Sequence, residues 1–115
     1  MRTLIAANWK MHMTRDQARS TTRDLVNRLD GNLPDDREVL ILPPFTSLES
    51  VAGVISGKDD FSLGAQNFYP AEEGAFTGEV APGMLLDLGC GFALAGHSER
   101  RHVLGESDIF VGEKL

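Results

Sequence analysis

The sequence has 115 residues, which is enough for one domain with its own hydrophobic core and too few for most two-domain arrangements. Its 17 acidic and 11 basic side chains give a formal net charge of -6, which argues against a nucleic acid or an anionic membrane surface as partner. Any anionic ligand must therefore be held by a local cluster of positive charge.

Several common site types are absent from the sequence. Cys90 is the only cysteine, so no intrachain disulfide can form, no cysteine and histidine spacing resembles a zinc site, and a reducing cytoplasm is indicated. The apolar stretch near the N-terminus is too short for a signal peptide or a membrane span. No dinucleotide-binding, Walker A or nucleophile-elbow motif occurs, which removes the common nucleotide-binding and serine-hydrolase interpretations.

The first strand and helix are predicted from an apolar run and a capping pattern. Residues 4–7 form a short continuous apolar run, typical of a strand buried on both faces of a parallel sheet. Thr14, with Gln17 three residues later, matches a capping box, so a helix should begin there. Gly31 and Pro34 predict its end.

The second strand and helix repeat this pattern. Residues 39–42 are a β-branched and leucine run that stops before two prolines, and they predict the second strand. Thr46 and Glu49 match a second capping box. The helix that follows has its apolar side chains at helical spacing, at Leu48, Val51, Ala52 and Ile55.

The rest of the chain continues the alternation. Residues 61–65 predict a third strand, and a long glycine-containing loop, 66–79, follows it. Pro82 opens the next helix, residues 91–95 predict a fourth strand, and Ser107 caps a last helix. The order is βαβαβαβ plus the start of another helix.

This order predicts one α/β domain over residues 1–115, with a parallel sheet, right-handed crossovers and helices packed outside. Parallel α/β sheets place their ligand site at the C-terminal ends of the strands. The polar residues that follow the predicted strands are Asn8, Lys10, Gln66, Asn67 and His97.

Each of the candidates at these strand ends has a structural and a functional interpretation. Lys10 is either a solvated surface lysine or the cation that holds an anion. Asn8 is either structural or a group that orients the lysine ammonium or donates to an oxyanion. His97 is either a hydrogen-bonded structural histidine or a proton-transfer group, and a helix starting at Ser98 would disfavour its charged form.

The charged residues that follow His97 are also ambiguous. Glu99 is a partner for Lys10, a direct proton carrier, or only a carboxylate in the first turn of a helix. Arg100 and Arg101 are expected to form structural ion pairs, with Glu79 and Glu106 as candidate partners.

Four segments resemble the N-terminal part of the triosephosphate isomerase family in order and spacing. They are AANWKM, LPPFTSL, LGAQNFYPAEEGAFTGEVAPGML and AGHSERR, and together they cover nearly the whole chain. The resemblance implies the N-terminal half of a (β/α)8 TIM barrel. It also implies the interconversion of dihydroxyacetone phosphate and glyceraldehyde 3-phosphate in glycolysis and gluconeogenesis, without a cofactor or metal, by a cytoplasmic homodimer.

The resemblance also implies roles for individual residues. Asn8 and Lys10 bind substrate, with Lys10 facing the phosphate and the developing enediolate oxygen. His97 is the neutral electrophile that polarises the carbonyl, supported by the backbone at Ser98, and Glu99 lies within reach of Lys10. The loop 66–79 resembles the family's dimer loop, which delivers Thr77 to the neighbouring subunit while Glu79 and Arg100 brace the junction. The residues implied at this loop are Gln66, Asn67, Thr77, Glu79 and Arg100.

The family's remaining machinery has no counterpart in the sequence. Its catalytic base is a glutamate in a segment like Y-E-P-V-W, followed by a mobile lid and two glycine-rich phosphate loops. Four strands are predicted where a barrel needs eight, so we expect a C-terminal half to be missing and strands one and four to be open edges. We therefore expect an N-terminal fragment that is inactive alone. The alternative is a noncatalytic half-barrel module that self-associates or complements a C-terminal half.

Overall fold

The computed structural model describes residues 2–115. Its elements, in chain order, are β1 (Thr3–Asn8), α1 (Arg15–Leu29), β2 (Arg37–Leu42), α2 (Leu48–Ile55), β3 (Phe61–Ala65), α3 (Pro82–Asp87), β4 (Phe92–Ala93), α4 (Ser98–His102) and α5 (Asp108–Glu113). A 3₁₀ turn, Phe45–Ser47, precedes α2. The predicted alternation is confirmed, and two short helices follow β4. None of the helices in the described chain has the length and apolarity needed to cross a bilayer.

The four strands form one parallel, curled sheet in the order β1-β2-β3-β4. Val39 on β2 is paired with Ile5 of β1 on one side and with Phe61 of β3 on the other. Sequential parallel neighbours with helical crossovers are the arrangement from which a (β/α)8 barrel is built. The predicted fold class, the N-terminal half of such a barrel, is confirmed.

The two outer strands are the open edges of this sheet, as predicted. On β1, Leu4 and Ile5 are 39% and 48% exposed, and Phe92 on β4 is 41% exposed. The prediction that the first strand is buried on both faces is wrong, because the successive side chains of Leu4 and Ile5 point to opposite faces and both are exposed. The fourth strand is also shorter than the predicted 91–95, because only two residues of β3 are paired with it.

One of the two predicted capping boxes is present. The Thr14 side chain accepts a hydrogen bond from the Gln17 backbone N–H, and the Gln17 side chain accepts one from the Thr14 N–H, which confirms the predicted start of α1. The predicted capping box of Thr46 and Glu49 is not formed, so this prediction is wrong. The 3₁₀ turn makes Ser47 the residue before α2, and its side chain makes no capping hydrogen bond.

The core lies between the central strands and the two longest helices. Ile41 of β2 and Leu48 and Val51 of α2 are fully buried, and Ala18 of α1 packs into the same cluster. Burial of an aliphatic side chain of this size contributes roughly 2 kcal/mol. The C-terminal ends of β1, β2 and β3 are thereby fixed against a packed layer, and these ends carry the candidate site.

Candidate functional site

A cavity of about 220 Å³ lies at the C-terminal ends of the strands. Most of the residues singled out in the sequence line it, together with apolar neighbours; the lining includes Asn8, Lys10, Phe45, Gln66, Asn67, Leu94, His97, Glu99 and Arg100. A larger groove of about 760 Å³ runs between α1 and α2 on the outer surface, lined mainly by basic and polar side chains. We assign the candidate site to the smaller cavity because it alone of the two brings an imidazole, an ammonium and a carboxylate together.

The backbone of Lys10 is held in the left-handed region, at φ 55°. Its N–H donates to Asn8 Oδ1 at 2.9 Å, and its carbonyl accepts from Gln66 Nε2 at 2.8 Å. The same Gln66 nitrogen donates to the Leu42 carbonyl at 2.8 Å, so the chain after β1 is tied to the end of β2. A non-glycine residue in this conformation costs about 1 to 3 kcal/mol and needs such surrounding restraints.

Of the interpretations given for Asn8, orientation of the lysine ammonium is not what this geometry shows. The Asn8 side-chain oxygen accepts from the Lys10 backbone, while the ammonium is held by Glu99, with Lys10 Nζ 2.6 Å from Glu99 Oε1. The predicted proximity of Glu99 to Lys10 is confirmed. Glu99 also lies in the first turn of α4. It is therefore both a partner for Lys10 and a carboxylate in the first turn of a helix.

The contact with Lys10 stabilises the charged form of the Glu99 carboxylate. The hydrogen bond from Lys10 is the largest influence and lowers the pKa of Glu99 below its ordinary value. The positive charge of Lys10 acts in the same direction, while partial desolvation opposes it. An ionised Glu99 orients the ammonium at the cavity and is a poor proton donor near neutral pH.

His97 is the residue before α4, and its ring accepts a backbone hydrogen bond. The Glu99 N–H donates to His97 Nδ1 at 3.1 Å, so in the neutral ring the proton lies on Nε2. The supporting amide therefore belongs to Glu99, and the expectation that it lies at Ser98 is wrong by one residue. His97 Nδ1 is 3.9 Å from Glu99 Oε2, which is too long for a hydrogen bond. The geometry favours a neutral imidazole that can donate from Nε2.

A buried ionic network lies behind the cavity. Glu106 Oε2 accepts from Arg100 Nε at 2.8 Å and from Lys114 Nζ at 2.9 Å. Lys114 also donates to Asn67 Oδ1 at 2.6 Å, and its side chain is fully buried. Desolvation alone would raise the pKa of Glu106, but the hydrogen bonds from Lys114 and Arg100 outweigh it and lower that pKa.

The structure shows which ion pairs Arg100 and Arg101 form, and it places Lys114, which the sequence analysis did not single out, beside the site. Arg100 pairs with Glu106, one of the two candidate partners, whereas Arg101 pairs with Asp108, which was not among them. Sequence reasoning missed Lys114 because a lysine is exposed by default. The available signal was its position directly after α5, three residues beyond the buried Val111.

The loop 66–79 begins at the site and then leaves it. Asn67 is buried in the ionic network, whereas Thr77 and Glu79 are exposed and lie outside the cavity lining. The loop is folded on itself by the rings of Tyr69 and Phe76, whose centroids are 4.3 Å apart. Contact of Thr77 with a neighbouring subunit stays a prediction.

The sequence is similar to proteins of one known family. Residues 3–115 match the sequence model of the family described as triosephosphate isomerase. The triosephosphate isomerase of Nitratidesulfovibrio vulgaris strain DP4 is 58% identical over 114 residues, which are 99% of this chain and 45% of that protein. The triosephosphate isomerase of Chloroflexus aurantiacus is 53% identical over 97% of this chain and 44% of its own length. The chain therefore spans about half the length of the curated relatives it matches. It belongs to the triosephosphate isomerase family.

Proposed function

We propose that the chain supplies the electrophilic and cationic part of an active site that interconverts dihydroxyacetone phosphate and glyceraldehyde 3-phosphate. The observation that carries the proposal is that Lys10 and His97 line one cavity and both approach Glu99. The reaction removes a proton next to a carbonyl, so negative charge develops on the carbonyl oxygen. Groups fixed in advance to meet that charge lower the barrier.

Each cavity residue has a proposed role in this reaction. His97 donates from Nε2 to the substrate carbonyl oxygen, and its neutral state suits it to polarise the carbonyl. Lys10 attracts the phosphate and the developing oxyanion, while Asn8 and Gln66 fix its backbone and Glu99 its ammonium. The base that takes the carbon-bound proton is a glutamate from the part of the fold that the relatives have and this chain does not cover.

We further propose that the working enzyme is a cytoplasmic homodimer of glycolysis and gluconeogenesis. The exposed Thr77 and Glu79, on a loop held by the contact of Tyr69 with Phe76, support a role for residues 66–79 in subunit contact. Asn67 anchors that loop to the buried Lys114 next to the cavity. Subunit contact and the site would then be mechanically linked.

Complementation tests the proposed activity. The 115-residue chain is co-expressed with the C-terminal part of the Nitratidesulfovibrio vulgaris relative that it does not cover, and the purified complex is assayed with dihydroxyacetone phosphate. We expect turnover by the complex, loss of it with His97→Gln or Lys10→Met, and no change with Arg23→Met on the outer face of α1. The chain alone should give no turnover.

Two results would contradict the proposal. An assembled complex without turnover would show that the cavity does not complete an isomerase site. Turnover by the chain alone, at the rate of the complex, would mean that a base lies within these residues, and Glu99→Gln would be the first variant to examine.

The open sheet edges support a second candidate, a noncatalytic half-barrel module. Leu4, Ile5 and Phe92 expose apolar surface on the two outer strands, and such edges favour further strand pairing. Joining β4 of one copy to β1 of another keeps the strands parallel and could close an eight-stranded ring. This candidate requires a dimer of the isolated chain in light scattering that Ile5→Lys dissociates, and a monomer would exclude it.

A further inference from the structure

The residue before His97 is held by an arginine from the helix that follows. Arg101 Nε donates to the Gly96 carbonyl oxygen at 2.9 Å. The same guanidinium forms an ion pair with Asp108, the first residue of α5. Arg101 therefore bridges the loop between β4 and α4 to the start of the next helix.

Gly96 is enclosed as well as hydrogen-bonded. Its φ is +67°, and a Cβ at this position would lie 2.7 Å from Val111 Cγ1 and 2.9 Å from Arg101 Nη2. Contacts this short are not tolerated, and the conformation itself favours glycine. The Gly96 backbone is therefore packed closely against the side chains of Val111 and Arg101.

This restraint is passed to His97 through one peptide group. The Gly96 carbonyl and the His97 N–H belong to the same planar peptide group. Because the group is planar, a fixed direction of the carbonyl also fixes the direction of the His97 N–H. His97 then precedes α4 and accepts the Glu99 N–H at Nδ1. Rotation of the Gly96 peptide would move the ring away from that amide.

We propose that Arg101 is a positioning residue for His97, which it holds in the Nε2–H tautomer through the Gly96 carbonyl. The inference rests on the proposed function only for the catalytic role of His97. Arg101 is not one of the residues that line the cavity, and its guanidinium acts on His97 through the Gly96 carbonyl. The ion pair of Arg101 with Asp108 is thus separate from the ion pair of Arg100 with Glu106.

Nitrogen NMR of the imidazole rings in the 115-residue chain tests this inference. In the unmodified chain we expect His97 to show one tautomer, with an unprotonated Nδ1. In Arg101→Met we expect that signal to be replaced by an average of both tautomers, and exchange of the Glu99 amide proton to accelerate roughly tenfold, as for loss of an ordinary hydrogen bond. Arg101→Lys keeps one donor for the Gly96 carbonyl and should restore part of the signal.

Arg19→Met is the matched control. Arg19 is 35% exposed and donates to Asp16 and Ser50, whereas Arg101 is 33% exposed, so both substitutions remove a half-buried arginine that bridges two groups. Only Arg101→Met should alter His97. If Arg101→Met does not fold, Asp108→Asn decides instead, because it weakens the anchor of the guanidinium and should give a smaller change in the same direction.

The inference is overturned if the folded Arg101→Met chain, or Asp108→Asn in its place, keeps the tautomer and the Glu99 exchange rate of the unmodified chain. It is also overturned if Arg19→Met changes both to the same extent. These readouts need no substrate. A complemented barrel without isomerase activity would therefore contradict the proposed function and leave the role of Arg101 to be decided by the NMR result.

Discussion

The Lys10 ammonium lies 2.6 Å from the Glu99 carboxylate, although Lys10 follows the first strand of the sheet and Glu99 follows the last. The contact is reached because the sheet curls, so that the C-terminal ends of β1 and β4 face a common cavity. It holds the Lys10 ammonium at the place where a parallel α/β sheet binds ligands. The site thus depends on the curvature of the sheet as much as on the residues themselves.

The two threonines of the predicted capping boxes should differ in their effect on stability. Thr14→Ala removes a side chain that accepts from the Gln17 N–H, and the free energy of unfolding should fall by about 1 kcal/mol. Thr46→Ala should change it by less than about 0.5 kcal/mol, as is usual for a surface substitution that breaks no cap. Urea unfolding followed by circular dichroism measures both. Equal losses would contradict the assignment of a single capping box.

The buried ionic network should contribute far more than an exposed ion pair. Lys114→Met leaves Glu106 with Arg100 as its only cation, and removing one partner of a buried pair costs about 3 to 5 kcal/mol. Arg28→Met is the control, because Arg28 and Asp24 are exposed and 4.0 Å apart, and it should cost less than about 0.5 kcal/mol. A loss below about 1 kcal/mol for Lys114→Met would show that Lys114 is solvated rather than buried.

The same network should make stability depend on pH. The pKa of Glu106 in the folded chain is lowered below its ordinary value of 4.5. The folded chain therefore binds the proton less readily than the unfolded chain, and this contribution is complete above pH 4.5 and is lost as the pH falls through the folded pKa. We expect unfolding free energies measured from about pH 6 to about pH 3 to fall less steeply in Lys114→Met than in the unmodified chain. Parallel curves would contradict the pairing.

The elements that follow from local patterns were predictable, and those that depend on neighbours were not. Residues 39–42 are a β-branched and leucine run, which is typical of a strand in a parallel sheet, and the Thr14 cap of α1 uses only the neighbouring Gln17. Thr46 has the same pattern, but two prolines lead the chain into a 3₁₀ turn, and the helix starts only at Leu48. The exposure of Leu4 depends on whether another strand lies beside β1, which a local pattern cannot show.

The candidate site shows the same division. The positions of Lys10 and His97 at the C-terminal ends of strands follow from the alternation of strands and helices. The contact of the Glu99 amide with the His97 ring depends on the backbone geometry at the start of α4. The burial of Lys114 depends on partners that are distant in sequence, Asn67 among them, and only the packed fold brings these together.

The contact of Lys10 with Glu99 joins the two ends of the sheet at the cavity, and a carbon NMR titration of the Glu99 carboxyl measures whether it forms in solution. We expect its midpoint to lie below 4.5 in the unmodified chain, to rise in Lys10→Met, and to stay unchanged in Lys58→Met, which removes the separate ion pair with Asp30. A midpoint at or above 4.5, or one that Lys10→Met does not move, would show that the two side chains do not meet in solution.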